Sequence, residues 1–276
     1  MKKKILLTGA SGFVGSQILQ ELLKYDLEIY LIIRESSKKK IKINKKIKKI
    51  YFTKNLFKEK NSWFDNITKN IDIIIHAALY VKEKNYMTSK YNLNCLNGTK
   101  KLANFCKKNK IKKFIGLGTC LEYDVSHKYL SINAPLKPKS LYAKTKTETY
   151  KYLVKCFHNS TVKFNWCRLF YLYGDNQPEK KLYTSLNSNL RKNNAVIIKN
   201  GNQVRDFIHV KVAARIIVNN SLKKTYEGPI NVCSGNGVTV KEFAIKIAKR
   251  FNKIHLLKFS KSKDKKNSTD IIVGVI

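Results

Sequence analysis

Acidic side chains are scarce in this chain. Eighteen Asp and Glu stand against 56 Lys and Arg, which leaves a formal net charge of +38 at pH 7. Arginine is scarce as well: Arg34, Arg168, Arg191, Arg205, Arg215 and Arg250 are the only six, and Lys strewn along the chain beside Asn and Ile makes up the rest. No helix-turn-helix, zinc or RNA-binding signature accompanies the charge. It therefore reads as a solvated Lys coat that favours anionic substrates, without sequence-specific nucleic-acid recognition. Long apolar runs are missing too, so no membrane span is expected. The start MKKKILL breaks at Thr8-Gly9, too soon for a signal peptide, which leaves a cytoplasmic location as the expectation. The six cysteines (Cys95, Cys106, Cys120, Cys156, Cys167 and Cys233) form no CxxC pair and no Cys/His cluster. Reduced thiols are expected, with neither disulfides nor a metal site. No repeat or low-complexity linker breaks the chain. Its 43% hydrophobic content argues against disorder and for one large domain or a domain with a lobe.

What is present is alternation. KKILLTG reads as a buried strand and SQILQELLKYD as a helix with one apolar stripe. LEIYLIIR, IKKIYF, NIDIIIHAA and KKFIGLGT follow as strands, with the Lys-rich KKKIKINKKIKK as a solvated loop or edge. NCLNGTKKLANFCKKNK has helical spacing and a basic last turn suited to that end of the dipole. TKTETYKYLVKCF is another helix, VKFNWCRLFYLYG a sixth strand running into a loop, and TVKEFAIKIAKRF a helix starting at Thr239. Alternation of this kind predicts an α/β, Rossmann-type doubly wound parallel sheet. Residues 1–174 and 203–233 are assigned to it, and 175–202 and 234–276 to a small C-terminal substrate-binding lobe.

Between the first strand and the first helix lies TGASGFVG, with Gly9, Gly12 and Gly15. Strand, GxxGxxG and amphipathic helix, in that order, is the context of a dinucleotide site. Gly9 permits the tight turn, Gly12 removes a side chain where pyrophosphate approaches, and Gly15 allows close helix-strand packing. Ser11, Phe13 and Val14 complete the loop and the helix start, whose free N–H groups suit a phosphate. Downstream, SLYAKTK holds Tyr142 and Lys146, one helical turn apart on one face. A tyrosine with a pKa of about 10 is a poor base at neutral pH. A nearby ammonium would favour its phenolate.

These ordered motifs resemble the extended short-chain dehydrogenase/reductase superfamily, and more narrowly its NAD-dependent nucleotide-sugar epimerases, dehydratases and reductases. The resemblance runs from Met1 to about Ile247. It implies that Tyr142 exchanges a proton with a sugar hydroxyl or ketone, that Lys146 tunes it, and that Thr119, in IGLGTCLEYD, positions the reacting oxygen. Gly118 and Asp124 depart from the family's Ser and Gly. Where the family's 4,6-dehydratases carry Asp-Glu after the Thr, this chain has Cys120-Leu121, with Glu122 one place out of register, so elimination is disfavoured.

The resemblance also places Ala77 and Ala78 beside the cofactor, with His76 as a packed residue. Asn55-Leu56 is expected near the adenine, and Asn94 and Asn97 straddle the family's Asn-containing helix start. Arg34 ends the second strand and favours the 2′-phosphate of NADP, while Glu35 could still bind the ribose of NAD. RLFYLYGDNQ and GNQVRDFIHV resemble the substrate-side signatures. They imply Arg205 on the substrate diphosphate, Tyr171 near the sugar, and Asp206 and His209 organising a turn. The family usually continues beyond a segment like DIIVGVI, so either a trimmed lobe or a truncated product is expected. Family members often form homodimers through the helices near 92–109 and 142–157.

The expected activity is thus an NAD(P)-dependent nucleotide-sugar 4-epimerase or 4-keto reductase. Two alternatives stand beside it. One is a catalytically impaired nucleotide-binding or scaffold protein; the other is polyanion binding through the Lys coat.

Overall fold

The computed structural model describes residues 2–80, 85–223, 227–260 and 271–276. A seven-stranded sheet, parallel throughout, forms its centre. Its strands are β1 (Lys3–Thr8), β2 (Leu27–Arg34), β3 (Ile47–Thr53), β4 (Ile73–His76), β5 (Lys113–Thr119), β7 (Lys163–Leu169) and β11 (Gly228–Val232). The order is β11-β7-β5-β4-β1-β2-β3. It reverses direction between β1 and β4, which opens a crevice at the carboxyl ends of those strands.

The apolar runs are continuous because both faces are covered. Ile5 and Leu7 turn to one side, where α1 (Phe13–Leu22) and α6 (Val210–Leu222) pack. Leu6 turns to the other, among Phe64, Leu102, Phe114 and Leu153. That side is covered by α2 (Asn61–Thr68), α3 (Tyr91–Lys108) and α4 (Leu141–Phe157). Strand period supplies the alternation, and the two apolar layers together make the core. The Lys-rich stretch becomes a 3-10 turn over Glu35–Lys40, a loop and the edge strand β3. Within it, Lys46 Nζ donates to Leu23 O at 2.7 Å and Tyr25 O at 2.8 Å, closing the carbonyl end of α1.

The segment expected as one sixth strand divides. Phe170 N–H donates to Val232 O at 3.1 Å, and the chain then leaves the large sheet as β8 (Tyr171–Tyr173). A second sheet has the order β12-β10-β14-β6, from β12 (Gly237–Thr239), β10 (Val204–His209), β14 (Ile271–Gly274) and β6 (Tyr129–Leu130), with β8 on β10. The stretch 203–233 is thus shared between the sheets, β10 in the smaller and β11 in the larger. IIVG is an inner strand of this second sheet, with Ile272 and Val273 buried.

The lobe has its own core. Leu186 and Leu190 of α5 (Leu182–Arg191) meet Phe243, Ile247 and Ala248 of α7 (Val240–Lys249). Beneath them lies a two-stranded parallel ribbon of β9 (Val196–Lys199) and β13 (Leu257–Ser260). Thr239 caps α7 as expected: it accepts from Glu242 N–H at 3.0 Å, and Glu242 accepts from Thr239 N–H at 2.8 Å.

Candidate active site

The three opening glycines do three different things. Gly9 has φ +72, a region that suits glycine, and a Cβ there would lie 2.8 Å from the Ala78 backbone. A Cβ on Gly15 would overlap the carbonyl of Gly9. Both are demanded by packing. A Cβ on Gly12 would meet Gly9 O alone, at 3.3 Å, and otherwise faces open space. Gly12 begins α1, and neither a capping side chain nor an acidic residue occupies that first turn. The N–H groups of Phe13 and Val14 lie in this uncapped turn, beside the half-buried Ser11. A bare backbone at a positive helix end fits a dinucleotide phosphate.

Across the crevice, β4 ends against the same loop. Ala78 N–H donates to Thr8 Oγ1 at 3.0 Å, which draws Ala77 and Ala78 over Gly9. His76 lies between Thr8, 2.9 Å from Nδ1, and Thr99, 3.0 Å from Nε2. Thr99 spends its proton on Cys95 O at 2.7 Å, so Nε2 must donate to Thr99 and Nδ1 accept from Thr8. Burial, with the Lys146 charge adding to it, lowers the His76 pKa to about 3. It is a neutral packed residue.

Just past β3, Asn55 spends its acceptor locally, taking the Phe57 N–H at 3.1 Å, and Leu56 is buried. Arg34 is exposed at the end of β2, with the exposed Glu35 beside it.

Thr119 ends β5 and Tyr142 opens α4, where Ser140 caps the helix by accepting Ala143 N–H at 3.1 Å. The Tyr142 N–H donates to Met87 O at 3.0 Å, and its ring meets Tyr86 edge-on at 5.3 Å. Burial pushes the phenol above the ordinary tyrosine range, Tyr86 and Glu122 add to this, and the Thr119 hydroxyl opposes it. Lys146 Nζ donates to Leu117 O at 2.7 Å and stands 5.8 Å from the Trp166 ring. Burial lowers the Lys146 pKa, while Cys95 and Glu122 pull the other way. The structure thus brings Tyr142 to Thr119, while the ammonium's hydrogen bond goes to a backbone carbonyl.

The second sheet supplies the facing wall. The Arg205 guanidinium lies 5.3 Å from the Tyr171 ring, and its Nη1 donates to Val204 O at 2.8 Å. Tyr171 packs against the cluster that holds Cys120, so this wall stands against the exit of β5, and burial pushes its phenol up, with Cys120 adding to it and Arg205 opposing it. Asp206 accepts from Ser234 N–H and Oγ, each at 2.7 Å, from Gly235 N–H at 3.0 Å and from Gly274 N–H at 3.2 Å. All its capacity goes into tying β10 to β14 and the loop after β11. His209 caps α6, accepting Lys211 N–H at 3.3 Å.

Several neighbours carry no spacing signal in the sequence. Asn92, rather than Asn94 or Asn97, is the asparagine buried at the start of α3; its Nδ2 holds Tyr86 O at 2.7 Å and Ser89 O at 2.9 Å. That fixes the loop carrying Tyr86 and Met87. Glu122 is fully buried in an ion pair with Arg168 at 3.1 Å. Arg168 reaches Glu122 only through the fold, whereas Asn92 and the Thr119-x-x-Glu122 capping box pair locally; no alternation or helical period marks any of them.

A switch-point crevice with a bare helix N-terminus, faced by a Tyr/Thr pair on β5 and α4, defines a Rossmann-type α/β protein. The chain belongs to the NAD dependent epimerase/dehydratase family, whose model matches residues 5–232. It is 23% identical over 248 residues to a putative UDP-glucose 4-epimerase of Methanocaldococcus jannaschii, covering 86% of this chain and 79% of that protein. An uncharacterized UDP-glucose epimerase of Bacillus subtilis is 26% identical over 221 residues, 75% of this chain and 69% of that protein. Among solved structures it is similar to a UDP-N-acetylglucosamine 4-epimerase from Methanobrevibacter ruminantium M1 in complex with UDP-N-acetylmuramic acid. The TM-score is 0.87 at 23% identity, over 100% of this chain and 90% of that one. A dTDP-glucose 4,6-dehydratase from Streptomyces venezuelae, with NAD bound, matches at a TM-score of 0.80 and 16% identity, over 98% and 86%. The fold is therefore common to epimerases and dehydratases. No helix among the described residues is long and apolar enough to cross a membrane.

Proposed function

We propose that the protein is an NAD(P)-dependent nucleotide-sugar 4-epimerase or 4-keto reductase. The family and the UDP-glucose epimerase relatives support nucleotide-sugar chemistry. One observation carries the choice against elimination: both buried carboxylates beside the site are consumed. Glu122 is bonded to Arg168, Trp166 and Thr119 N–H, and Asp206 to three N–H groups and a hydroxyl. With Cys120 and Leu121 where a dehydratase carries acids, nothing at the end of β5 can take one proton while giving another.

The nicotinamide, when bound, supplies the acceptor and donor for the C4 hydride. Gly12 and the first turn of α1 would hold the pyrophosphate. Tyr142 receives the proton of the C4 hydroxyl as the sugar is oxidised and returns one on reduction, while Thr119 holds that oxygen in place. Arg205 suits the substrate diphosphate and Tyr171 the sugar beside it. Arg34 supports NADP over NAD; a strong NADH preference in the two KM values would remove that assignment.

The homodimer through α3 and α4 is carried on the same terms. Their exposed faces set Leu93 and Val154 among Lys101, Lys107, Lys108, Lys144, Lys151 and Lys155. Self-association through such faces should strengthen with added salt, which molar mass in solution would show. A cytoplasmic location goes with this reading.

The direct test is mass spectrometry of nucleotide sugars incubated with the purified protein and either cofactor. A mass-neutral C4 epimer or a reduced 4-keto sugar supports the reading and separates its two forms; a dehydrated product overturns it. One observation favours a second reading, a Rossmann protein that binds the cofactor without turnover: Lys146 Nζ bonds Leu117 O, while burial raises the Tyr142 phenol. Tight cofactor binding with no product from any nucleotide sugar would select it.

A further inference from the structure

β5 carries two glycines, Gly116 and Gly118, in a wholly buried strand. A Cβ at either would overlap the Trp166 indole, which lies across them from the neighbouring strand β7. At Gly118 it would also overlap Glu122 Oε1. Resemblance alone leaves Gly118 as a missing Ser and Glu122 as an acid out of register. In space the two are one arrangement, because the volume of the absent side chain is filled by a carboxylate and an indole arriving from elsewhere.

That carboxylate is fully engaged. It accepts Thr119 N–H at 2.7 Å, Trp166 Nε1–H at 3.0 and 3.1 Å and Arg168 Nε–H at 3.1 Å. Arg168 is pinned in turn, 4.6 Å from the Tyr123 ring and 4.8 Å from Tyr150, and donates to Tyr123 Oη at 3.0 Å. Tyr123 passes its own proton to Asn231 Oδ1 at 2.8 Å, which joins the network to β11. A buried pair is favourable only where further hydrogen bonds of this kind satisfy its polar groups. Its near end touches the backbone of Thr119.

We infer that Glu122 is a positioning residue: packed with Trp166 and Arg168 into the space left open at Gly118 and bonded to the Thr119 N–H, it props the Thr119 hydroxyl toward Tyr142. The inference rests on the hydride-transfer reading above and adds a residue to it. The buried charge acts on both reacting partners, raising the Tyr142 phenol and supporting the Lys146 ammonium. Replacing it with a neutral group should therefore let Tyr142 ionise at lower pH.

The test measures kcat, KM and cofactor Kd for purified variants, with NAD or NADP and with UDP-glucose and UDP-N-acetylglucosamine as probes. Glu122→Gln should lower kcat about 10- to 100-fold with KM and cofactor Kd little changed, as expected when orientation alone is lost. The rising limb of its kcat–pH profile should move to lower pH. Trp166→Phe keeps the ion pair, removes the indole donor and should lower kcat several-fold. Gly118→Ala should be more damaging, and Gly118→Ala combined with Trp166→Phe should recover part of that loss. Glu122→Gln with wild-type kcat and an unmoved limb overturns the inference; so does Trp166→Phe at wild-type kcat should Glu122→Gln fail to fold. A wild-type protein inert toward every probe with either cofactor overturns the hydride-transfer reading and this inference with it, whereas an active wild type with those variant results sinks the inference alone.

Discussion

The crevice has two walls, and they are built differently. The cofactor wall is a single stretch of chain, Thr8 to Gly15, whose glycines meet their neighbours through backbone: Gly9 against Ala78, Gly15 against Gly9. The reaction wall draws Gly118, Thr119 and Glu122 from β5 and its exit, Tyr142 and Lys146 from α4, Trp166 and Arg168 from β7, and Arg205 from the second sheet. The first depends on steric rules that hold wherever a strand turns into a phosphate-binding helix. The second depends on side-chain bonds among segments far apart in sequence. Damage to the first should show in cofactor affinity; damage to the second, in turnover and global stability.

The sharpest break in that comparison is Tyr142→Phe. Loss of the proposed acid/base should lower kcat by about 10²- to 10⁴-fold while cofactor affinity stays near wild type. Turnover unchanged in this variant would take Tyr142 out of the mechanism. Next comes Arg168→Leu, which strands the Glu122 carboxylate in a dry interior and should cost about 3–5 kcal/mol of unfolding free energy. Denaturant melts would show it, and a loss no larger than that of a surface pair would mean that the pair is weakly coupled.

His76 offers a smaller effect, set by pH. Its folded pKa of about 3 lies below the unfolded value near 6.5, so its contribution is complete above that value. It is lost as pH falls toward the folded pKa, by about 2 kcal/mol between pH 7 and 5. His76→Gln should remove that part of the slope, and melts of the two proteins at both pH values would check it. An identical acid slope in both would refute the assignment.

Gly12→Ala and Gly15→Ala separate the two duties of the cofactor wall. The Gly15 variant forces overlap with the Gly9 carbonyl and should cost about 1–3 kcal/mol of stability. The Gly12 variant should fold normally and lose cofactor affinity, visible by NADH fluorescence titration. Smallest of all, Thr239→Ala should cost about 1 kcal/mol through its cap, with catalysis intact.

Much of the fold was legible before any coordinates. ILL, LIIR and DIII are apolar without alternation because each strand is covered on both faces, and GxxGxxG follows the first of them in the order that a dinucleotide site requires. The Thr239 helix start and, from the resemblance, a packed His76 were also readable. The break at Phe170, where the chain leaves one sheet for the other, was not, because LFYLY is uniformly apolar and aromatic across it. The pairing of IIVG with β10 and β6 has a similar cause: a short apolar run shows that it will be buried, without showing beside what.

On its own, then, the amino-acid sequence determined the Rossmann alternation, the glycine turn, and the presence of a Tyr and a Lys one helical turn apart. Those features follow from backbone sterics and side-chain periodicity, which act between near neighbours in the chain. Tertiary structure alone decided that Lys146 bonds Leu117 O, that Asn92 rather than Asn94 or Asn97 anchors the Tyr86 loop, and that Gly118, Glu122, Trp166 and Arg168 share one volume. Close packing and the cost of an unpaired buried charge set those outcomes, and both are properties of what the folded chain brings together.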